Sequence, residues 1–310
     1  MTMAKRTIRF ALGPALAAML ASAGVSGQST PAKTFQTPEE AMQALAAVAG
    51  SGDTKKTEEM FGQKGLDLLK SGDEIADRED ARRVKAAILE KVAFEDRGAS
   101  QKVAVLGKDG WPFPIPLVLE NGRWRFDVEA GREEITTRRI GRNELSTLAT
   151  LHAYVEAQRE FFSRKPAAGP PAYAQRLIST EGKHDGLCWK VAPGEPESPL
   201  GPLVAAAARE GYKRPEGEPT PFHGYFFRIL TAQAKNAPGG AGSYLDEKGA
   251  MTKGFALVAW PAKYGSSGVM TFLVGRQGIV FQKDLGASTE AAVAGIAAYD
   301  PDETWTPTGD

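Results

Sequence analysis

The spacing of apolar residues in this 310-residue chain switches from a helical to a strand rhythm, then runs through the same change a second time. That double switch restricts the fold to helices packed on short antiparallel sheets, in two successive units. In the first unit, Thr37-Pro38-Glu39-Glu40 reads as a helix start, with an N-cap, proline at the first helical position and acids in the first turn. Ala41, Leu45 and Val48 mark one face before Gly50-Ser51-Gly52 stops it. Further helices are predicted over 54–61 and 77–92, the latter with Val84, Ile88 and Leu89 spaced for burial. Strands are then predicted at 102–106, 114–119 and 123–128, with Asn121-Gly122 as the two-residue hairpin turn between the last two.

In the second unit Asn143 can cap a helix running to 164, on which Leu145, Leu148, Leu151, His152, Val155, Phe161 and Phe162 form one broad stripe. Such a stripe demands a partner sheet. Prolines at 166–171 end the helix, and a loop-rich stretch to 219 carries short helical segments near 173–177 and 203–210. Strands at 222–231, 255–261, 269–275 and 279–283 suggest an antiparallel meander, closed by a helix over 288–299. The expected class is therefore α+β with an N-terminal domain at 37–140 and a C-terminal domain at 141–310.

Residues 1–27 read as a secretory signal peptide: Lys5, Arg6 and Arg9 precede an apolar run at 10–21 that is too short to span a bilayer. Val25 and Gly27 place small residues where a signal peptidase reads, so Gln28 is the expected new N-terminus, followed by a flexible linker over 28–36. The expected address is periplasmic or secreted, with no stable membrane anchor after cleavage. Cys188 is the only cysteine, so it can carry neither an internal disulfide nor a lipid at that cleavage site. Cleavage leaves 35 basic against 38 acidic residues, a charge of about −3 that gives no footprint for nucleic acid.

Few residues announce chemistry. His184, Asp185 and Cys188 lie too close in sequence to form a nucleophile and base, and His152, His184 and His223 lack metal-ligand spacing, so no catalytic residue, metal or cofactor is expected. The strip 111–116 alternates aromatics with prolines: Trp111 and Phe113 could bind glycan or peptide, or the strip could be an edge strand tucked against the second domain. On the strand after His223, Tyr225 and Arg228 could line an anion pocket with it, since arginine offers a bidentate fork. The structural alternative, a hydrogen-bonded core or inter-domain pair, carries more weight.

The strings Asp109-Gly110-Trp111-Pro112-Phe113-Pro114-Ile115-Pro116, Arg139-Ile140-Gly141-Arg142-Asn143-Glu144-Leu145, Tyr154-Val155-Glu156-Ala157-Gln158-Arg159-Glu160, the run 221–233 and Gly254-Phe255-Ala256-Leu257-Val258-Ala259-Trp260-Pro261 together resemble the bacterial DUF2950 family. The resemblance implies an exported protein and carries no assigned activity. Cys188 departs from the pattern, which has an aromatic residue after Asp-Gly-Leu. The C-terminal half also resembles, on Gly224-Tyr225-Phe226-Phe227-Arg228 and the strands that follow, the headgroup of pseudopilins and minor pilins, without their apolar N-terminal half-helix. The N-terminal unit is similar in rhythm to NTF2-like domains. The expected function is binding of an envelope glycan, peptide or protein in a cleft between the domains, bordered by Trp111, Phe113, His223, Tyr225 and Arg228. An envelope hydrolase at the domain boundary and an adaptor of a secretion or pilus system are the alternatives.

Overall fold

Thr37 caps helix α1 (Pro38–Val48) by accepting the Glu40 N–H at 3.1 Å, while the Glu40 carboxylate reaches back to the Gln36 N–H at 2.7 Å. The computed structural model describes residues 32–164, 170–213 and 219–309, so the predicted signal peptide lies outside the described residues. The predicted linker lies partly within them. There Phe35 exchanges backbone hydrogen bonds with Trp124 at 2.8 and 2.9 Å and is buried in the core, so this end of the segment is not a linker.

Helix α2 (Thr54–Leu69) continues past the predicted stop at 61, because Gly62 takes φ +71° and bends the helix instead of ending it. Helix α3 (Glu74–Glu90) starts earlier than predicted, where Asp73 accepts the Ile75 and Ala76 N–H groups. Strand β1 (Val92–Asp96) is absent from the sequence reading. Its pairing with β2 (Gln101–Leu106) extends through five residues and supplies what its own residues signal weakly. Strands β3 (Trp111–Pro112), β4 (Leu117–Glu120) and β5 (Arg123–Phe126) complete an antiparallel sheet in the order β1-β2-β4-β5, with β3 beside β2. Asn121 and Gly122 make the predicted turn with φ of 51° and 75°. The prolines of 114–116 keep that part of the strip out of the ladder, while Phe113 and Ile115 drop into the core.

Helix α4 (Val128–Ser163) is the largest departure from expectation. It starts at the cap Asp127, far before the predicted cap Asn143, which sits buried in mid-helix and donates its amide to the Ser267 carbonyl at 2.9 Å. The added turns carry no apolar stripe. They are held by Glu–Arg pairs three and four residues apart, Glu129–Arg132 and Glu134–Arg138, and by Gly131, where a Cβ would come within 2.7 Å of the Pro114 carbonyl. One helix thus runs from the N-terminal core, which it joins at Val128, to the separate C-terminal core, which it joins at Leu151, Tyr154 and Val155. The division expected at 140 falls inside it.

The second core is built on a meander. After α5 (Gly201–Glu210) come β6 (Tyr225–Leu230), the small pair β7 (Ala232–Gln233) and β8 (Gly242–Ser243), then β9 (Ala256–Pro261), β10 (Met270–Gly275) and β11 (Val280–Asp284). A short α6 (Thr289–Ala294) and β12 (Thr306–Pro307) close the chain, giving the antiparallel order β12-β11-β10-β9-β6. Helix α4 lies across this sheet, as the stripe required. The predicted helix at 173–177 is instead extended: the Tyr173 N–H donates to the Met251 carbonyl at 2.7 Å, and Cys188 bridges to Ile178. The predicted terminal helix stops at Gly295, and Tyr299 pairs with the backbone of Ala232 and Ala234.

The stripe itself is unevenly buried: Leu151 is fully enclosed, while Leu145 remains 69% exposed. Leu151→Ala should cost about 2–5 kcal/mol of unfolding free energy, whereas Leu145→Ala should stay within about 0.5 kcal/mol. Urea titration of the two variants checks this, and equal losses would place the helix in the wrong rotation about its axis.

Candidate functional site

The residues singled out in the sequence do not form one site. Trp111 is 37% exposed on β3, with the Arg138 guanidinium 5.3 Å from its ring centre, and Phe113 is buried against Phe126 in an edge-to-face contact. On the other unit, His223 takes φ +49° in the turn before β6, stacks on Phe222 and places Nε2 2.6 Å from Glu210 Oε2. Tyr225 is fully buried and donates its hydroxyl to the Met270 carbonyl at 2.9 Å. Arg228 donates from Nη2 alone to the Val293 and Ile296 carbonyls, at 2.6 and 2.8 Å, and so holds the end of α6. The cavity that Trp111 and Phe113 line includes none of these three residues, so among the described residues it does not bring the two groups together.

Cys188 is buried, and the neighbouring His184 ring stacks on Trp189 with centroids 4.4 Å apart while Asp185 accepts from Thr180. No group of three or more His, Cys, Asp or Glu able to hold a metal ion occurs among the described residues.

What the sequence reading missed is the wall of the Trp111 cavity. This space of about 690 Å³ lies between α1, α2, α3, the first sheet and the start of α4. It exists because α3 stands off the sheet: only Ile88 of that helix is fully buried, while Ala81 and Val84 face the gap. Leu45, Phe61, Leu106, Ile115 and Ile135 make the opposite apolar surface. One side is charged. Asp80 takes both Arg83 and Arg142 at 2.6 Å. Arg139, only 7% exposed, donates to the Leu68 carbonyl at 2.8 Å and to the Ser266 hydroxyl at 3.2 Å, and Asp77 accepts the Ser71 N–H at 2.9 Å. Burial holds the Asp77 carboxyl above its ordinary range against the pull of Ser71 and Arg139, and burial likewise lowers Arg139 against the attraction of Asp77 and Asp80.

The raised Asp77 has a signed consequence. Its folded pKa lies above the unfolded value of about 3.9, so the native state loses stability as pH climbs through that interval and the carboxylate forms. Asp77→Asn keeps an acceptor for Ser71 without the charge. The variant should melt higher than wild type at pH 7 and match it below the unfolded-state value. A lower melting temperature at pH 7 would mean that attraction to Arg139 outweighs burial.

Beside the cavity, polar side chains stitch the two cores together. Asp73 accepts from the Tyr212 hydroxyl at 2.8 Å and from the Gly224 N–H at 2.9 Å. Burial, reinforced by Asp73, pushes the Tyr212 phenol up and keeps it a donor. Glu144 Oε1 accepts the Val269 and Met270 N–H groups at 2.9 and 3.0 Å. Thus the string 139–145 works as a docking face: Arg139, Asn143 and Glu144 successively grip the turn at 266–270.

A second space of about 1080 Å³ lies between α5, α4 and the edge strand β6, bordered by Cys188, Phe226 and Phe227. Its lining reaches Lys213 and Pro219, which flank residues outside the described set. No helix of the described residues is long and apolar enough to cross a membrane. The sequence model of a family described as a protein of unknown function (DUF2950) matches residues 32–308. No curated protein and no solved structure matches the chain.

Proposed function

The chain belongs to the DUF2950 family, and from that premise we propose that it is an exported binding protein of the cell envelope whose ligand occupies the cavity of the N-terminal half. One observation carries the reading: a space within the usual volume range of small-molecule sites, walled by apolar side chains with a few converging charged groups along one side. Binding is favoured over catalysis because the lining holds no cysteine, histidine or serine, and of its paired acids on α3, Asp80 is pinned by two arginines. Export rests on the basic start and short apolar run of residues 1–27.

The test is a fluorescence titration with the neutral probe N-phenyl-1-naphthylamine. Wild type should bind it saturably, and Ala81→Phe, which fills the gap under α3, should not bind while unfolding at unchanged denaturant. Equal binding by both proteins would move the ligand elsewhere. Fractionation of cells making the whole chain checks the address: a product retaining its first 27 residues in the cytoplasm would refute export.

A further inference from the structure

We propose that the ligand of this cavity is an aliphatic carboxylate, its chain lying on Leu45, Val84, Leu106 and Ile135 and its head group on the Arg139 guanidinium. The proposal rests on the cavity being the ligand site and names the class of molecule that fits it.

Three observations point to this chemistry. First, Arg139 is an under-used buried cation. A guanidinium presents five N–H donors, and Arg139 engages two neutral acceptors, the Leu68 carbonyl and the Ser266 hydroxyl. Among the described residues it makes no ion pair, and its charge faces Asp77 and Asp80 only at a distance. Each terminal nitrogen spends one N–H, so one N–H on each and the Nε N–H remain to donate to a carboxylate.

Second, the charged side of the cavity carries a cationic excess. Asp80 neutralises one of its two arginines, Arg83 or Arg142, and leaves the other in surplus. With Lys70, Arg78, Arg138 and Arg139 the lining holds six basic side chains against the four acids Asp77, Asp80, Glu90 and Asp109, a formal excess of two positive charges. A cationic head group would meet that field at close range in a medium of low dielectric, where like-charge repulsion is strong.

Third, the remaining surface is aliphatic rather than sugar-binding. One face of Trp111 carries the Arg138 guanidinium, which is itself fixed by Glu134 at 2.6 Å and by the Pro112 carbonyl at 2.9 Å. Leu45, Val48, Leu66, Leu69, Val84 and Ile135 offer no hydrogen bonds for hydroxyl groups. A sugar or peptide would enter this space at a desolvation cost that an alkyl chain avoids.

The experiment is isothermal titration of the full chain with octanoate, decanoate and dodecanoate below their micelle concentrations. The alkyltrimethylammonium ions and the 1-alkanols of the same lengths are titrated in parallel. Carboxylate affinity should rise about fourfold per added methylene. At equal length it should exceed the ammonium series by at least about tenfold, the worth of one charge-assisted hydrogen bond. Arg139→Gln should remove that preference, and Arg139→Lys, which restores the charge without the fork, should recover part of it. Equal affinity for carboxylate and ammonium in wild type overturns the head-group assignment, and that comparison needs no variant to fold. Binding of alkanols alone overturns it equally while leaving the cavity as a ligand site. Binding of none of the three series refutes the cavity reading itself.

Discussion

Asp73→Ala should destabilise the protein by about 3–5 kcal/mol, the largest loss expected from any single polar substitution at the junction of the two cores. The Asp73 side chain is buried and accepts four bonds: Ile75 N–H at 3.1 Å and Ala76 N–H at 3.0 Å on one oxygen, Tyr212 hydroxyl at 2.8 Å and Gly224 N–H at 2.9 Å on the other. Alanine removes a helix cap, worth about 1 kcal/mol, and leaves the Gly224 N–H and the Tyr212 hydroxyl without an acceptor away from water. Asp73→Asn separates the two contributions. Its oxygen can still cap α3, but its NH₂ group then faces two donors, so most of the inter-core loss should persist. Denaturant unfolding of both variants measures this, and a loss below about 1 kcal/mol for Asp73→Ala would mean that water replaces the carboxylate freely.

Gly268→Ala is expected to cost at least about 3 kcal/mol, at or beyond the upper end of ordinary overpacking. A Cβ at this position would lie 2.1 Å from the Tyr225 hydroxyl oxygen and 2.5 Å from the ring carbon that bears it. Tyr225 cannot move aside, because it is fully buried and its hydroxyl is bound to the Met270 carbonyl next to Glu144. The turn cannot move easily either, since Asn143 holds Ser267 and Glu144 holds Val269. Combining Gly268→Ala with Tyr225→Phe should recover part of the loss by removing the atom in closest conflict. Strict additivity of the two changes would show that the turn, not the ring, yields.

The difference between the two halves of α4 explains which parts of the fold can be read locally. From Leu148 to Phe162 an apolar stripe signals both helix and partner, and the structure lays that segment on the meander. From Val128 to Asn143 the helix has a mixed polar surface, because its neighbours are a proline-rich strip on one side and a turn of the other core on the other. Such a segment shows no period-3.6 apolar signal, although its Glu–Arg spacings are helical when sought. Short elements fail for a related reason. The terminal helix is predicted long from helix-forming residues, yet the pairing of Tyr299 with Ala232 and Ala234 draws the chain into extended backbone.

The candidate site was legible only in part. Trp111 and Phe113 do line the cavity, and their alternation with proline is visible in the sequence. Asp77 and Arg139 did not stand out, being ordinary members of charge-rich helices until two helices and a sheet enclose them. His223, Tyr225 and Arg228 were conspicuous as polar groups in an apolar run, and each proves to be occupied by a structural partner: Glu210, the Met270 carbonyl and the end of α6.

By itself the sequence determined the α+β class, the cap of α1, the Asn121-Gly122 hairpin, the meander and the family, because these depend on residue periodicity, turn chemistry and strings of adjacent residues. Only the tertiary structure decided that α4 is continuous between two cores, that Arg228 holds a helix end, and that a cavity with a buried arginine opens under α3. Each of these depends on the distance between segments remote in sequence. Local patterns set what each segment can form, but burial and charge pairing take their values only when those segments meet.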